Sequence, residues 1–107
     1  MIKSQQAGKV LDLPSEPTLS DGTAGGIEPG CITFDLCRSL VDVYLTVSEN
    51  EIKQHLKDFI NNEHILIEGS AAVAVAGLTN HIKAVSGKNV VVIICGANIA
   101  LDVLKSI

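Results

Sequence analysis

The spacing of hydrophobic and polar residues predicts an alternation of helices and strands. Residues 1–8 have the pattern of the tail of a helix that ends near Gly8, and residues 9–30 are rich in proline and glycine and predict a loop. Residues 33–41 follow with helical spacing, since their apolar side chains share one face: Phe34, Cys37, Leu40 and Val41. Residues 41–47 then alternate apolar with polar or aromatic positions, which is the period of a β-strand.

A capping box predicts where the next helix begins. Ser48 and Glu51 have the S-x-x-E spacing in which each side chain bonds the backbone N–H of the other residue. Val47 and Ile52 lie on either side of the cap at the positions of a hydrophobic staple. An apolar stripe then continues at helical spacing, so we expect this helix to end near Asn62.

The second half of the chain predicts helix, strand and helix. An Ala- and Gly-rich segment from about Gly69 to Val85 predicts a helix that packs closely on a neighbour, and "GKNVVVIIC" predicts a strand before a last helix from about Asn98. This order predicts an α/β fold with right-handed crossovers and a parallel sheet. A strand as apolar as Val90–Ile94 needs paired neighbours on both edges, and one other strand cannot supply them. The pattern therefore predicts an incomplete part of a larger parallel sheet.

Composition and charge exclude several classes of function. The chain has 107 residues and a net charge of −4, so it lacks the basic surface of a nucleic-acid-binding protein. It shows neither a signal peptide nor an apolar run long enough to span a bilayer. Its three cysteines, Cys31, Cys37 and Cys95, have no CxxC spacing and predict reduced thiols in a cytoplasmic protein without a metal site.

Four stretches carry a resemblance to a known family. "PTLSDGTAGGIEPG", "LVDVYLTVSENEI", "ILIEGSAAVAVAGL" and "GKNVVVIICGANI" resemble, in this order, the C-terminal part of the catalytic domain of threonine/serine dehydratases. These are pyridoxal-phosphate (PLP) enzymes of the tryptophan-synthase-β fold type, related to serine racemase. The resemblance implies that residues 1–107 are the C-terminal portion of a PLP-dependent catalytic domain, with no complete second domain. It also implies a complete enzyme that converts L-threonine or L-serine to a 2-oxo acid and ammonia. The apolar surfaces and open edges of so small a sheet predict a homo-oligomer.

The resemblance implies a cofactor-binding role for five residues. Cys95 and Gly96 in "CGAN" match the Ser/Cys-Gly-Gly-Asn pattern whose first residue faces the pyridine nitrogen of PLP, where a neutral thiol leaves that nitrogen largely unprotonated. Gly22 matches a glycine beside the cofactor ring, Glu68 a glutamate that lines the site, and Asn98 a residue of the cofactor loop.

Each of these residues also has an ordinary structural alternative. Cys95 could be a small buried hydrophobe, and Gly22 an ordinary turn glycine. Glu68 could interact with a helix dipole, and Asn98 could cap the last helix.

Other parts of a PLP enzyme do not match this sequence. None of its seven lysines stands in the Ser-x-Lys context of the lysine that holds PLP covalently, and "GTAGG" does not match the phosphate-binding loop. The acidic ligands of the divalent cation of many relatives match no residue here. We therefore expect this chain to contain no catalytic residue, to bind no PLP by itself and to be inactive alone. Three histidines, His55, His64 and His81, are expected at the surface.

Two other functions remain open on the sequence. One is a free-standing α/β interaction module that binds a partner chain at an open sheet edge. The other is a small phosphate-binding domain that uses the turn after Cys95, although no GxxxxGK[ST] or GxGxxG motif supports it.

Overall fold

The computed structural model describes all 107 residues, which form two compact units. The first unit comprises Met1–Glu16 and Ala24–Leu45, and the second comprises Pro17–Thr23 and Thr46–Ile107. The chain contains five α-helices: α1 (Ile2–Ala7), α2 (Ile32–Leu40), α3 (Glu49–Glu63), α4 (Gly69–His81) and α5 (Leu101–Ser106). Two short 3-10 turns lie at Asp21–Thr23 and Ile82–Val85. None of the helices has both the length and the apolar character needed to cross a membrane.

The first unit is held together by contacts between α1 and α2. α1 ends at Gly8, as the sequence predicted, and Gly8 adopts the left-handed conformation with φ of 70°. The Gln5 side-chain amide donates to the backbone oxygen of Phe34 over 2.7 Å. Arg38 donates to the backbone oxygen of Gly8 over 3.2 Å and lies 5.5 Å from the centre of the Phe34 ring. Phe34 is the buried residue of the predicted apolar face, whereas Leu40 is exposed.

The strand predicted for residues 41–47 is not formed. Val43 and Leu45 are exposed, whereas Tyr44 and Val47 are partly covered. The Tyr44 hydroxyl donates to the backbone oxygen of Cys37 over 3.0 Å. The reason is that a strand exists only when its backbone groups pair with another strand. Nothing in this chain pairs with the segment, so the alternating pattern remains without a sheet.

The capping box at the start of α3 is confirmed. The Ser48 hydroxyl accepts from the N–H of Glu51 over 3.3 Å, and the Glu51 carboxylate accepts from the N–H of Ser48 over 2.6 Å. Val47 and Ile52 belong to the same apolar cluster, as expected for a hydrophobic staple. The helix continues to Glu63, one residue beyond the predicted end.

The core of the second unit lies between α3 and α4. Its buried members are Ile52, Leu56, Ile67, Ala71 and Ala72. The small side chains at the start of α4 let this helix approach α3 closely, so the Ala-rich segment packs as its composition predicted.

The second predicted strand is also absent, and the last helix begins late. Backbone groups of residues 89–95 form no hydrogen bonds, and Val91 and Ile93 are 84% and 68% exposed. The predicted parallel sheet is therefore not formed by this chain, because its two candidate strands lack pairing partners. α5 begins at Leu101, and its N-cap is Ala100 rather than Asn98. The prediction that Asn98 caps this helix is thus wrong.

The carboxylate of Glu51 should make the stability of the second unit depend on pH. Hydrogen bonds from the backbone and hydroxyl of Ser48, then from the Asn80 amide, lower the pKa of Glu51 from 4.5 to about 2. Because this folded-state pKa lies below the unfolded one, the stabilisation is present above about pH 4.5 and is lost as the pH falls towards 2. We expect the melting temperature to fall more steeply across this range in the parent chain than in Glu51→Gln, as measured by circular dichroism.

Glu63→Gln is the matched control, because the Glu63 side chain forms no hydrogen bond. It should reproduce the pH dependence of the parent chain. Parallel curves for the parent and Glu51→Gln would contradict the prediction.

Candidate functional site

Glu68 lies where three segments of the second unit meet. It precedes α4 in an extended conformation, and its carbonyl oxygen accepts from the N–H groups of Ala71 and Ala72, each over 3.1 Å. Its own N–H donates to the backbone oxygen of Gly96 over 3.1 Å. These backbone bonds begin the helix and attach it to the segment after Cys95, and they leave the Glu68 side chain free for other contacts.

The Glu68 carboxylate is held by two donors and enclosed by two glycines. Its Oε2 accepts from the N–H of Asn98 over 3.0 Å, and its Oε1 accepts from the hydroxyl of Ser70. A Cβ atom at Gly96 would overlap the carboxylate, and one at Gly22 would lie 3.2 Å from Oε1. Both glycines therefore leave room that this carboxylate uses.

Cys95 is linked to the carboxylate through Ser70. The Cys95 thiol donates to the Ser70 hydroxyl over 3.6 Å, and that hydroxyl donates to Glu68. The result is a chain of hydrogen bonds from a thiol through a hydroxyl to a carboxylate. Cys95 itself is exposed, so its sulfur is accessible from outside the protein.

The segment that carries Gly22 is fixed from both sides. The Glu49 carboxylate, at the start of α3, accepts from the Thr18 hydroxyl over 2.6 Å and from the N–H of Leu19 over 2.8 Å. Gly69 has no side chain to collide with the backbone carbonyl of Leu19, which lies directly against it. This packing places the 3-10 turn that contains Gly22 beside Glu68 and Ser70.

The structure thus brings together all five residues that the resemblance singled out. Asn98 takes part through its backbone N–H, and Glu68 is a helix N-cap whose side chain does not cap. The alternative that Cys95 is a buried hydrophobe disagrees with its exposure. Sequence reasoning missed Ser70, although a lone hydroxyl residue two positions after Glu68 in an Ala-rich helix start was a usable signal.

The histidines lie apart from this cluster. A ring nitrogen of His55 lies 2.8 Å from the backbone oxygen of Glu51, His64 ends α3 in the left-handed conformation, and His81 is the last residue of α4. No group of three or more His, Cys, Asp or Glu side chains is placed to hold a metal ion.

Comparison with known proteins identifies the family of this chain. Residues 1–96 match the family described as pyridoxal-phosphate dependent enzyme. The chain belongs to the pyridoxal-phosphate dependent enzyme family. The predicted resemblance is therefore confirmed, and PLP is the cofactor of the complete enzymes of this family.

Curated relatives of this PLP-family chain are threonine ammonia-lyases. It is 35% identical over 107 residues to L-threonine ammonia-lyase from Thermotoga maritima, and this match covers 100% of the chain and 26% of the relative. It is 37% identical over 103 residues to L-threonine ammonia-lyase from Geobacter sulfurreducens, covering 95% of the chain and 25% of the relative. The chain therefore spans about a quarter of the length of these relatives.

Solved structures similar to this PLP-family chain are serine racemases. The maize enzyme superposes with a TM-score of 0.79 at 28% identity, over 97% of this chain and 34% of the other. The enzyme from Dictyostelium discoideum superposes with a TM-score of 0.77 at 28% identity, over 92% of this chain and 31% of the other. Most of the chain thus has the backbone arrangement of about a third of a serine racemase.

The residues present suit one side of a PLP ring. Cys95 is exposed and can be reached from outside, whereas the space beside the backbone of Gly22 and Gly96 adjoins the Glu68 carboxylate. The cavity lined by Glu68 and Asn98 has a volume of only about 50 Å³, enough for a few water molecules and too small for the cofactor. A cofactor ring would therefore lie outside this cavity.

Proposed function

We propose that this chain forms the ring-nitrogen side of the cofactor site in a PLP-dependent threonine/serine ammonia-lyase. Residues 1–107 would be the C-terminal portion of its catalytic domain, and the complete enzyme would convert L-threonine or L-serine to a 2-oxo acid and ammonia. The observation that carries the proposal is the convergence of Gly22, Glu68, Cys95, Gly96 and Asn98 at one place. These residues are separated by up to 76 positions (98 − 22) in the sequence.

Each residue has a distinct task in this proposal. When bound, PLP withdraws electrons from the α-carbon of the amino acid. Cys95 would contact the ring nitrogen with its thiol, and the backbone of Gly22 would border the ring. The Glu68 carboxylate accepts a hydrogen bond from the N–H of Asn98 and so holds the loop that follows Cys95. The side chains of this cluster position the ring, and none of them supplies the lysine on which the chemistry depends.

The exposed apolar segment supports the view that the catalytic domain has further parts. In Val90–Ile94 every side chain except that of Val92 is exposed, and the backbone groups have no partners. A buried central strand of a parallel sheet has this composition. We therefore propose that the segment becomes such a strand when the other strands of a tryptophan-synthase-β-like sheet pair with it.

Activity assays on the chain and on a chimera test this function. The chain alone, mixed with PLP, should form no 2-oxo acid from threonine or serine, and borohydride reduction should leave no stoichiometric pyridoxyl adduct on a single lysine. A chimera in which residues 1–107 replace the matching quarter of the Thermotoga maritima enzyme should bind PLP and release 2-oxobutanoate from L-threonine. A soluble chimera that fails to bind PLP, or a specific adduct on the isolated chain, would contradict the proposal.

We also propose that the isolated chain self-associates. Large apolar side chains are exposed at Ile65, Leu66 and four positions of Val90–Ile94, and monomers rarely tolerate much exposed apolar surface. An unpaired extended backbone is also a template for pairing. Sedimentation at low micromolar concentration should show a dimer or a larger species, with two-fold symmetry expected for the dimer. A stable monomer that binds no hydrophobic dye would instead favour the free-standing interaction module.

A further inference from the structure

Ser70 is a buried polar residue at the centre of the site. It is the second residue of α4 and only 7% exposed. Its hydroxyl contacts both functional side chains, because it donates to the Glu68 carboxylate and accepts from the Cys95 thiol over 3.6 Å. A Cβ atom at Gly22 would lie 3.3 Å from the same hydroxyl oxygen, so three of the predicted cofactor residues adjoin this one side chain.

The direction of these hydrogen bonds follows from the number of available protons. A serine hydroxyl has one proton and two lone pairs, whereas an ionised carboxylate can only accept. Both oxygens of Glu68 act as acceptors, one for Asn98 and the other for Ser70. The single proton of Ser70 is therefore used towards Glu68, and its oxygen faces Cys95 as an acceptor. The thiol proton then points inwards, to Ser70.

We infer that Ser70 is a positioning residue that orients the Cys95 thiol and the Glu68 carboxylate relative to each other. This inference rests on the proposed function, because it assigns Ser70 to the side of the cofactor site that faces the ring nitrogen. Ser70 sets the direction of the thiol proton, and it holds Glu68 where Oε2 reaches the N–H of Asn98. Without the hydroxyl, Glu68 Oε1 loses its side-chain donor and Cys95 loses its acceptor.

Spectroscopy of the chain without cofactor tests this role. In a Cys31→Ser, Cys37→Ala background, Cys95 is the sole thiol, and both changes lie outside the second unit. The S–H stretching band should lie at lower wavenumber in this parent than in Ser70→Ala, because a donated hydrogen bond weakens the S–H bond. The amide proton of Asn98 should move upfield in Ser70→Ala, since Glu68 is no longer held against it. Ser70→Thr, which retains the hydroxyl, should keep both signals at the parent positions.

Ser39→Ala is the matched control. Ser39 is also a helical serine whose hydroxyl bonds within the protein, to the backbone oxygens of Asp35 and Leu36, but it lies in α2. This variant should leave the S–H band and the Asn98 amide unchanged. If Ser70→Ala fails to fold, Ser70→Thr and Ser70→Val take its place, because the two side chains have the same shape and differ in the hydroxyl. Relative to Ser70→Thr, Ser70→Val should then show the S–H band at higher wavenumber and the Asn98 amide proton upfield.

The inference is overturned if the S–H band and the Asn98 amide are the same with and without the hydroxyl at position 70. A structural role alone would change the melting temperature without moving the S–H band, so this band separates positioning from packing. Since these measurements need no PLP, their failure would leave the proposed function intact. A chimera that binds no PLP would contradict the proposed function, and both signals could still be observed in the chain alone.

Discussion

Replacing Gly69 with alanine is expected to destabilise the second unit by roughly 3 kcal/mol or more, or to prevent it from folding. A Cβ atom at this position would overlap the backbone carbonyl of Leu19, and backbone cannot rotate away as a side chain can. Leu19 is itself tied to α3, since Glu49 accepts its N–H. Helix propensity alone predicts the opposite, because alanine favours a helix by about 1 kcal/mol over glycine. Urea denaturation followed by circular dichroism measures the difference.

Gly26→Ala is the matched control for this change. No atom lies within 4 Å of the position that its Cβ would occupy. We expect its free energy of unfolding to stay within about 0.5 kcal/mol of the parent value. If Gly69→Ala were as stable as the parent, the Leu19 carbonyl could not lie this close to α4.

The second large effect is a loss of catalytic activity, which we expect when Cys95 is replaced with aspartate in the chimera with the Thermotoga maritima enzyme. Cys95→Asp should lower kcat/KM for L-threonine on the order of a hundredfold or more, which is about 2.7 kcal/mol of transition-state stabilisation. A carboxylate would favour a protonated ring nitrogen and would also repel Glu68, one hydroxyl away through Ser70. The absorption spectrum of bound PLP should change together with the rate.

Cys95→Ser separates the effect of charge from the loss of the thiol. Serine offers a neutral donor and acceptor at the same place, so activity should stay within roughly tenfold of the parent chimera. Cys37→Ser, at a cysteine outside the second unit, should leave the rate and the spectrum unchanged. Equal rates and spectra for Cys95→Asp and the parent would remove Cys95 from the cofactor site.

The start of α3 shows what could be predicted from sequence. Ser48 and Glu51 form their capping box within four residues of chain, so the pattern alone identified both the bonds and the start of the helix. Gly8 ended α1 for a similarly local reason. For the site, the sequence pointed to Glu68 and Cys95 through the resemblance of short motifs, and membership of the PLP-dependent family is confirmed.

The segments 41–47 and 90–94 show the limit of such patterns. Residues 41–47 alternate apolar with polar positions, and residues 90–94 form a continuous apolar run. Both patterns are typical of strands, yet neither segment forms one. A helix satisfies its backbone hydrogen bonds within itself, whereas a strand depends on a neighbour that its own residues do not specify. A period in the sequence can therefore indicate a tendency to form a strand, but it cannot supply the partner.

Local sequence by itself determined the capping box of α3, the end of α1 at Gly8 and the type of residue at the site. Only the tertiary structure decided how those residues meet: Gly96 admits the Glu68 carboxylate, Asn98 uses its backbone instead of capping α5, and Ser70 joins Glu68 to Cys95. The reason is physical. Capping depends on atoms a few residues apart, but the orientation of a carboxylate depends on donors that folding brings from distant positions.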